Sequence, residues 1–165
     1  MMETVYLETS FISYLVSEPS RDVIVAGHQQ ITRAWWAQRR QEFACCVSDA
    51  VWKEASRGDP AQAQSRQEVL RELPRLTITP EVERLARTIL DGGALPPVAF
   101  PDAVHIAVAA AERVNYLLTW NCKHIANAAV LRRLEAIFRS RGAYLPVIAT
   151  PEELMGEDWK FEDLL

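Results

Sequence analysis

The chain has 165 residues, 49% of them apolar and 24% charged, which fits one ordinary globular domain whose core needs no covalent staples. The net charge of −4 argues against a generic polyanion binder, and no run of about 18 apolar residues offers a membrane span. Three cysteines without a Cys-x-x-Cys spacing argue against a zinc site.

Cys45 and Cys46 are adjacent, so on a strand they point to opposite faces. Reduced thiols and a start that is neither signal nor transit peptide set a cytoplasmic expectation. The charge is uneven. Residues 150–165 carry six acids and one base, whereas 1–149 carry 17 bases against 16 acids. Phosphate binding by the body of the chain is therefore compatible with the overall acidity.

In chain order, the sequence predicts a strand near 4–7, then a short helix to about Leu15 capped by Thr9 or Ser10. Glu18-Pro19-Ser20 breaks it, and Asp22 opens a long helix to about Gln41. A strand at 43–47 leads through the cap Ser48 into a helix ending near Arg57. Gly58-Asp59-Pro60 is a break, and a polar helix follows at 61–73. Leu76-Thr77-Ile78 reads as a short strand and Pro80 as the first turn of a helix to about 90. Two glycines and three prolines make 91–101 a loop. An alanine-rich helix at 102–113, a strand at 116–120, a helix at 125–140 ended by Gly142 and a strand at 144–148 complete the domain. Pro151 to Met155 is one turn, followed by an acidic tail. We therefore expect one domain over 1–150 and a tail over 151–165.

Strands alternating with helices imply a parallel sheet covered on both faces. Ligands of such sheets bind beyond the carboxyl ends of the strands. Glu8 follows the first strand. Glu54 lies on the helix after the second. Asp102 opens the alanine-rich helix, and Asn121 follows the strand Tyr116–Trp120. Carboxylates gathered at one crevice call for a compensating cation, and oxygen donors suit Mg²⁺ or Mn²⁺. Each residue also has a plainer role. Glu8 can be exposed, Glu54 can sit on a solvated helix face with Asp49 and Asp59 as competing acids, Asp102 can be a helix cap, and Asn121 a turn residue. His105 shares a helix face with Asp102, where it can ligate a softer metal or simply pack in the core. Cys122, next to Lys123 and His124, is a weaker candidate nucleophile.

The segments Val5-Tyr6-Leu7-Glu8-Thr9-Ser10, Pro101-Asp102-Ala103-Val104-His105-Ile106-Ala107 and Leu118-Thr119-Trp120-Asn121, with Glu54 between them, resemble the PIN-domain family, which includes the VapC-type toxin ribonucleases of toxin–antitoxin pairs. The resemblance spans residues 4–150. It implies an α/β/α sandwich around a parallel sheet of about five strands. It also implies an acidic cluster of Glu8, Glu54 and Asp102 holding Mg²⁺ or Mn²⁺, with Asn121 completing the site and Ser10 and Thr119 orienting waters or carboxylates. The family usually has Asp where this chain has Glu8, and often Asp where it has Asn121. The function implied is metal-dependent hydrolysis of single-stranded RNA, with Arg132, Arg133 or Lys123 guiding the backbone and an antitoxin as protein partner. The changed positions also allow a catalytically weak module that mainly binds protein. The adjacent Trp35 and Trp36 cannot both be hidden by one helix face; the second ring can pack under the loop 17–21 or anchor an interface, and the resemblance implies the latter, a homodimer through the early helices.

Overall fold

The computed structural model describes residues 1–164; Leu165, the last residue of the expected tail, lies outside them. Five strands form one all-parallel sheet: β1 Glu3–Leu7, β2 Phe43–Ser48, β3 Arg75–Leu76, β4 Tyr116–Leu118 and β5 Val147–Ala149. Their spatial order is β3-β2-β1-β4-β5. The chain thus winds outward from β1 through β2 to β3, then crosses to the other side of β1 for β4 and β5. The reversal opens a crevice at the carboxyl ends of β1 and β4, the usual ligand position of an open sheet. The architecture is the expected three-layer α/β/α sandwich.

The seven α-helices among the described residues are α1 Thr9–Val16, α2 Val23–Gln38, α3 Asp49–Ala55, α4 Pro60–Leu70, α5 Pro80–Asp91, α6 Phe100–Ala111 and α7 Ala128–Ser140. Helix α1 packs on α2, α3 and α4, and α5 packs on α6. Val5, Tyr6 and Leu7 of the central strand and Leu117 and Leu118 of β4 are fully buried. A strand buried on both faces needs such a continuous apolar run. No helix among the described residues is long and apolar enough to cross a membrane.

Several boundaries differ from the sequence expectation, each for a local reason. Helix α1 is capped by Glu8 itself, whose carboxylate accepts from the Ser10 N–H, and not by Thr9 or Ser10. Helix α6 starts at Phe100, because Pro101 falls in its first turn, where a missing N–H costs nothing. Strand β4 runs only to Leu118; the Thr119 N–H still donates to the Ala149 carbonyl, and the chain then turns, the Asn121 N–H donating to the Thr119 hydroxyl. Helix α7 begins only at Ala128, where the Asn127 side chain caps the N–H groups of Ala129 and Val130.

Trp35 is fully buried, whereas Trp36 is half-buried with the Arg40 guanidinium 4.0 Å from its ring centroid. Residues 151–164 do not hang free. Pro151 and Met155 are buried, the Trp35 indole N–H donates to the Leu154 carbonyl (3.1 Å), and Trp159 packs against the core.

Candidate metal centre

Three strand ends deliver the polar groups of the crevice. Beyond β1, Glu8 extends the ladder, its N–H donating to the Leu118 carbonyl (3.0 Å). Its side chain is 5% exposed, an unusual burial for a carboxylate. One oxygen, Oε2, takes the Ser10 N–H (3.0 Å), the Ser10 hydroxyl and the Thr119 hydroxyl (2.8 Å). No protein donor among the described residues reaches Oε1. The Ser10 hydroxyl oxygen also accepts the Trp120 N–H (2.8 Å), which locks the loop after β4 to the start of α1.

Beyond β2, the buried Ser48 caps α3 through the Ala50 and Val51 N–H groups. This capping fixes the helix that carries Glu54. The Glu54 Oε1 accepts from the Thr9 hydroxyl (3.1 Å) and from His105 Nε2. An ionised carboxylate only accepts, so Nε2 carries a proton. The other imidazole nitrogen, Nδ1, meets the Tyr6 hydroxyl at 2.7 Å, and that hydroxyl meets the Ser48 hydroxyl at 2.7 Å. A fully buried chain Ser48–Tyr6–His105 thus orients Glu54 from behind.

Burial raises the Glu54 pKa, but the hydrogen bond and charge of His105, the Thr9 hydroxyl and the Arg57 charge outweigh it, leaving the carboxyl below its ordinary value. Burial lowers His105, yet the Glu54 hydrogen bond and the charges of Glu8, Glu54 and Asp102 outweigh it and hold the imidazole above its ordinary value. Both shifts favour a Glu54 carboxylate beside a protonated ring.

Ligand atoms of Glu8, Glu54 and His105 lie within 4.8 Å of one another. Two carboxylates that close repel by about 3 kcal/mol at an effective dielectric of about 20. The residues fit a hard divalent cation: an oxygen of Glu8 without a donor, a Glu54 that stays ionised, and a site walled by hydroxyls. His105 Nε2 already donates to Glu54, so the ring is a positioning group and not a free nitrogen ligand.

Asp102 sits in the first turn of α6 and is not one of that close trio. Its Oδ1 accepts from the Asn121 amide (3.0 Å) and its Oδ2 from His124 Nδ1 (2.8 Å). The Asn121 side-chain oxygen Oδ1 takes the His124 N–H (3.0 Å), so Asn121 braces Asp102 and the turn together. Each carboxylate oxygen keeps a further lone pair. The competing acids have other partners: Asp49 holds Arg75 and the Ile78 N–H, and Asp59 caps α4. Arg133 donates to the Ala94 carbonyl, three residues past the end of α5. The exposed Cys122 thiol is pushed up by partial burial and the Glu153 charge, opposite to what a nucleophile needs.

Sequence reasoning missed the roles of Tyr6, Thr9 and His124, and the contact of the capping Ser48 with Tyr6. A Tyr inside an apolar strand looks like core, and only the fold brings its hydroxyl between Ser48 and His105. His124, three residues after Asn121, carried a faint signal as a side chain on the same turn.

Replacing Asn121 by Asp tests the brace. Asn121→Asp exchanges an amide donor for a carboxylate facing Asp102, and the metal-free protein should lose about 1–2 kcal/mol. Urea unfolding in EDTA reads that loss, and added Mn²⁺ should restore most of it. An unchanged urea midpoint in EDTA would mean that the Asn121–Asp102 contact contributes nothing.

No protein-family profile matches the chain, and no curated protein matches it. Solved structures do. One is VapC20 of Mycobacterium tuberculosis, a Sarcin-Ricin loop cleaving toxin, similar with a TM-score of 0.57 and 16% identity over 73% of this chain and 92% of that one. Another is VapBC2 from Rickettsia felis, bound to a DNA fragment from their promoter, with a TM-score of 0.55 and 15% identity over 89% of this chain and 98% of that one. At such identities the likeness establishes the fold, which is the PIN-like fold of VapC-type proteins.

Proposed function

We propose that the chain is a Mg²⁺- or Mn²⁺-dependent endoribonuclease acting on single-stranded RNA, the toxin of a toxin–antitoxin pair. The observation that carries this reading is the Glu8–Glu54 pair, drawn together behind a buried Tyr6–His105 relay at the mouth of a VapC-like fold. Glu8, Glu54 and Asp102 would hold the ion. When bound, it supplies an activated water and neutralises charge building on the phosphate. Ser10 and Thr119 fix Oε2 of Glu8 and so aim its other oxygen. His105 and Thr9 fix Oε1 of Glu54, and Asn121 and His124 fix Asp102. Such bracing partners matter about 10- to 100-fold in metal affinity or activity.

An antitoxin partner rests on the same resemblance, since a VapBC2 structure is among the similar ones. The chain also pairs with itself through its early helices. Val23 and Ile24 at the start of α2 are 81% and 68% exposed, the large apolar side chains that helix leaves uncovered. Light scattering at micromolar concentration, without antitoxin, should give twice the chain mass of 18.7 kDa. A monomer mass would remove the homodimer.

Calorimetric titration with Mn²⁺ tests the site. Heat is expected with the native chain and none with Glu8→Gln. Binding of Mn²⁺ without RNA cleavage would leave a metal-binding PIN-fold module whose role is to bind protein.

A further inference from the structure

A cleft of about 420 Å³ opens directly beside Glu54, within the size range of about 300–1,000 Å³ typical of ligand pockets. It is walled by Ile78, Phe100, Pro101 and Val104 on its apolar side, and by Lys53, Arg57 and Glu83 on its polar side. Neither Lys53 on α3 nor Arg57, just past the Ser56 cap that ends it, has an ion-pair partner among the described residues. The other acids of the lining are engaged, Asp49 by Arg75 and Glu54 by His105. The cleft therefore offers two cations without an ion-pair partner against one such carboxylate, the ring of Phe100 with the Arg87 guanidinium 5.3 Å from its centroid, and Glu54 of the candidate metal centre in its lining.

We propose that this cleft is the nucleotide subsite next to the scissile phosphate. The base of a single-stranded RNA nucleotide lies against Phe100 and Pro101, and Lys53 and Arg57 take the adjoining phosphates. The chemistry selects this occupant. An aromatic face accepts any unstacked base, and cations at its rim follow the backbone. A peptide side chain would use the apolar wall and leave the paired cations idle. Glu54 is shared by the cleft and the metal centre, so a nucleotide seated here presents its phosphate to the ion. The inference rests on the nuclease reading for the identity of the substrate.

The test uses the full chain and a short single-stranded oligoribonucleotide, intact or with one abasic residue at each position in turn. Cleavage is followed as kcat/KM with Mn²⁺, and binding by fluorescence anisotropy in EDTA. One abasic position flanking the cut should lower kcat/KM about tenfold, the scale of a single base-stacking contact. Phe100→Leu keeps the apolar bulk but removes the ring. It should lower the intact substrate by a similar factor and erase the abasic penalty at that position alone, the non-additivity of a direct contact. Arg57→Gln should weaken binding and reduce the salt slope by about one. Abasic and Phe100→Leu penalties that multiply independently overturn the subsite, whatever the rate of cleavage. Absent cleavage with a coupled penalty on binding removes the nuclease reading and keeps the subsite. Neither binding nor cleavage overturns both.

Discussion

Asp102→Asn is expected to lower divalent-dependent RNA cleavage by more than about a hundredfold, beyond what loss of a bracing partner alone produces. The side chain stands in the first turn of α6, with the Asn121 amide on one oxygen and the His124 ring on the other. Two donors on one carboxylate hold its charge in place and aim what lone pairs remain. The amide of the variant has the same size but no charge, and it presents hydrogens where His124 already donates. The fold should survive, because Asp102 is half-buried and its loss also relieves repulsion from Glu8 and Glu54. The check is a cleavage time course together with a melting curve. Cleavage at the native rate by a folded variant would show that Asp102 is only a helix-start residue.

Trp35→Ala should cost about 3–5 kcal/mol of stability, the range for emptying a buried aromatic site. A typical domain has about 5–15 kcal/mol in all, so the variant should be near the edge of folding. Trp35 lies edge-on to Phe11 at 5.5 Å, stacks on Phe43 at 5.7 Å and donates to the Leu154 carbonyl. It thereby ties α2 to α1, to β2 and to residues 151–164. Trp36→Ala removes a half-buried ring that meets Phe11 at 6.1 Å and the Arg40 guanidinium, and should cost no more than about 1 kcal/mol beyond its lost area. Urea midpoints of the two variants measure the contrast. Equal shifts would mean that the tail and the ring stack around Trp35 do not couple.

How much was legible in the sequence follows from what local chemistry can encode. Hydrophobic runs marked β1, β2 and β4, because a doubly covered strand must be apolar, whereas the part-exposed edge strands Arg75–Leu76 and Val147–Ala149 were met only in part by the expected 76–78 and 144–148. Caps at Asp22 and Ser48 and the break at Pro60 were readable, since a side chain two or three residues away decides them. Glu8 and Asn121 were readable behind strand ends, Glu54 on the helix after the second strand and Asp102 at a helix start, and the Thr9–Glu54 and Asn121–Asp102 hydrogen bonds tie the latter two to that end of the sheet. Their partition was not readable. Whether Asp102 joins Glu8 and Glu54 or turns to Asn121 and His124 depends on side-chain placement across the β1–β4 crevice. The Tyr6–His105 contact joins residues 99 apart, and nothing local to either one signals it.

The central claim is that a divalent ion held by Glu8, Glu54 and Asp102 cuts RNA. The most direct measurement is cleavage of an end-labelled single-stranded RNA by the native chain and by Glu8→Gln, purified side by side, in EDTA and then with Mn²⁺ added. The account predicts cutting by the native chain with Mn²⁺ only, and by Glu8→Gln in neither condition. Equal cutting in EDTA, or a Glu8→Gln variant as active as the native chain, would contradict it.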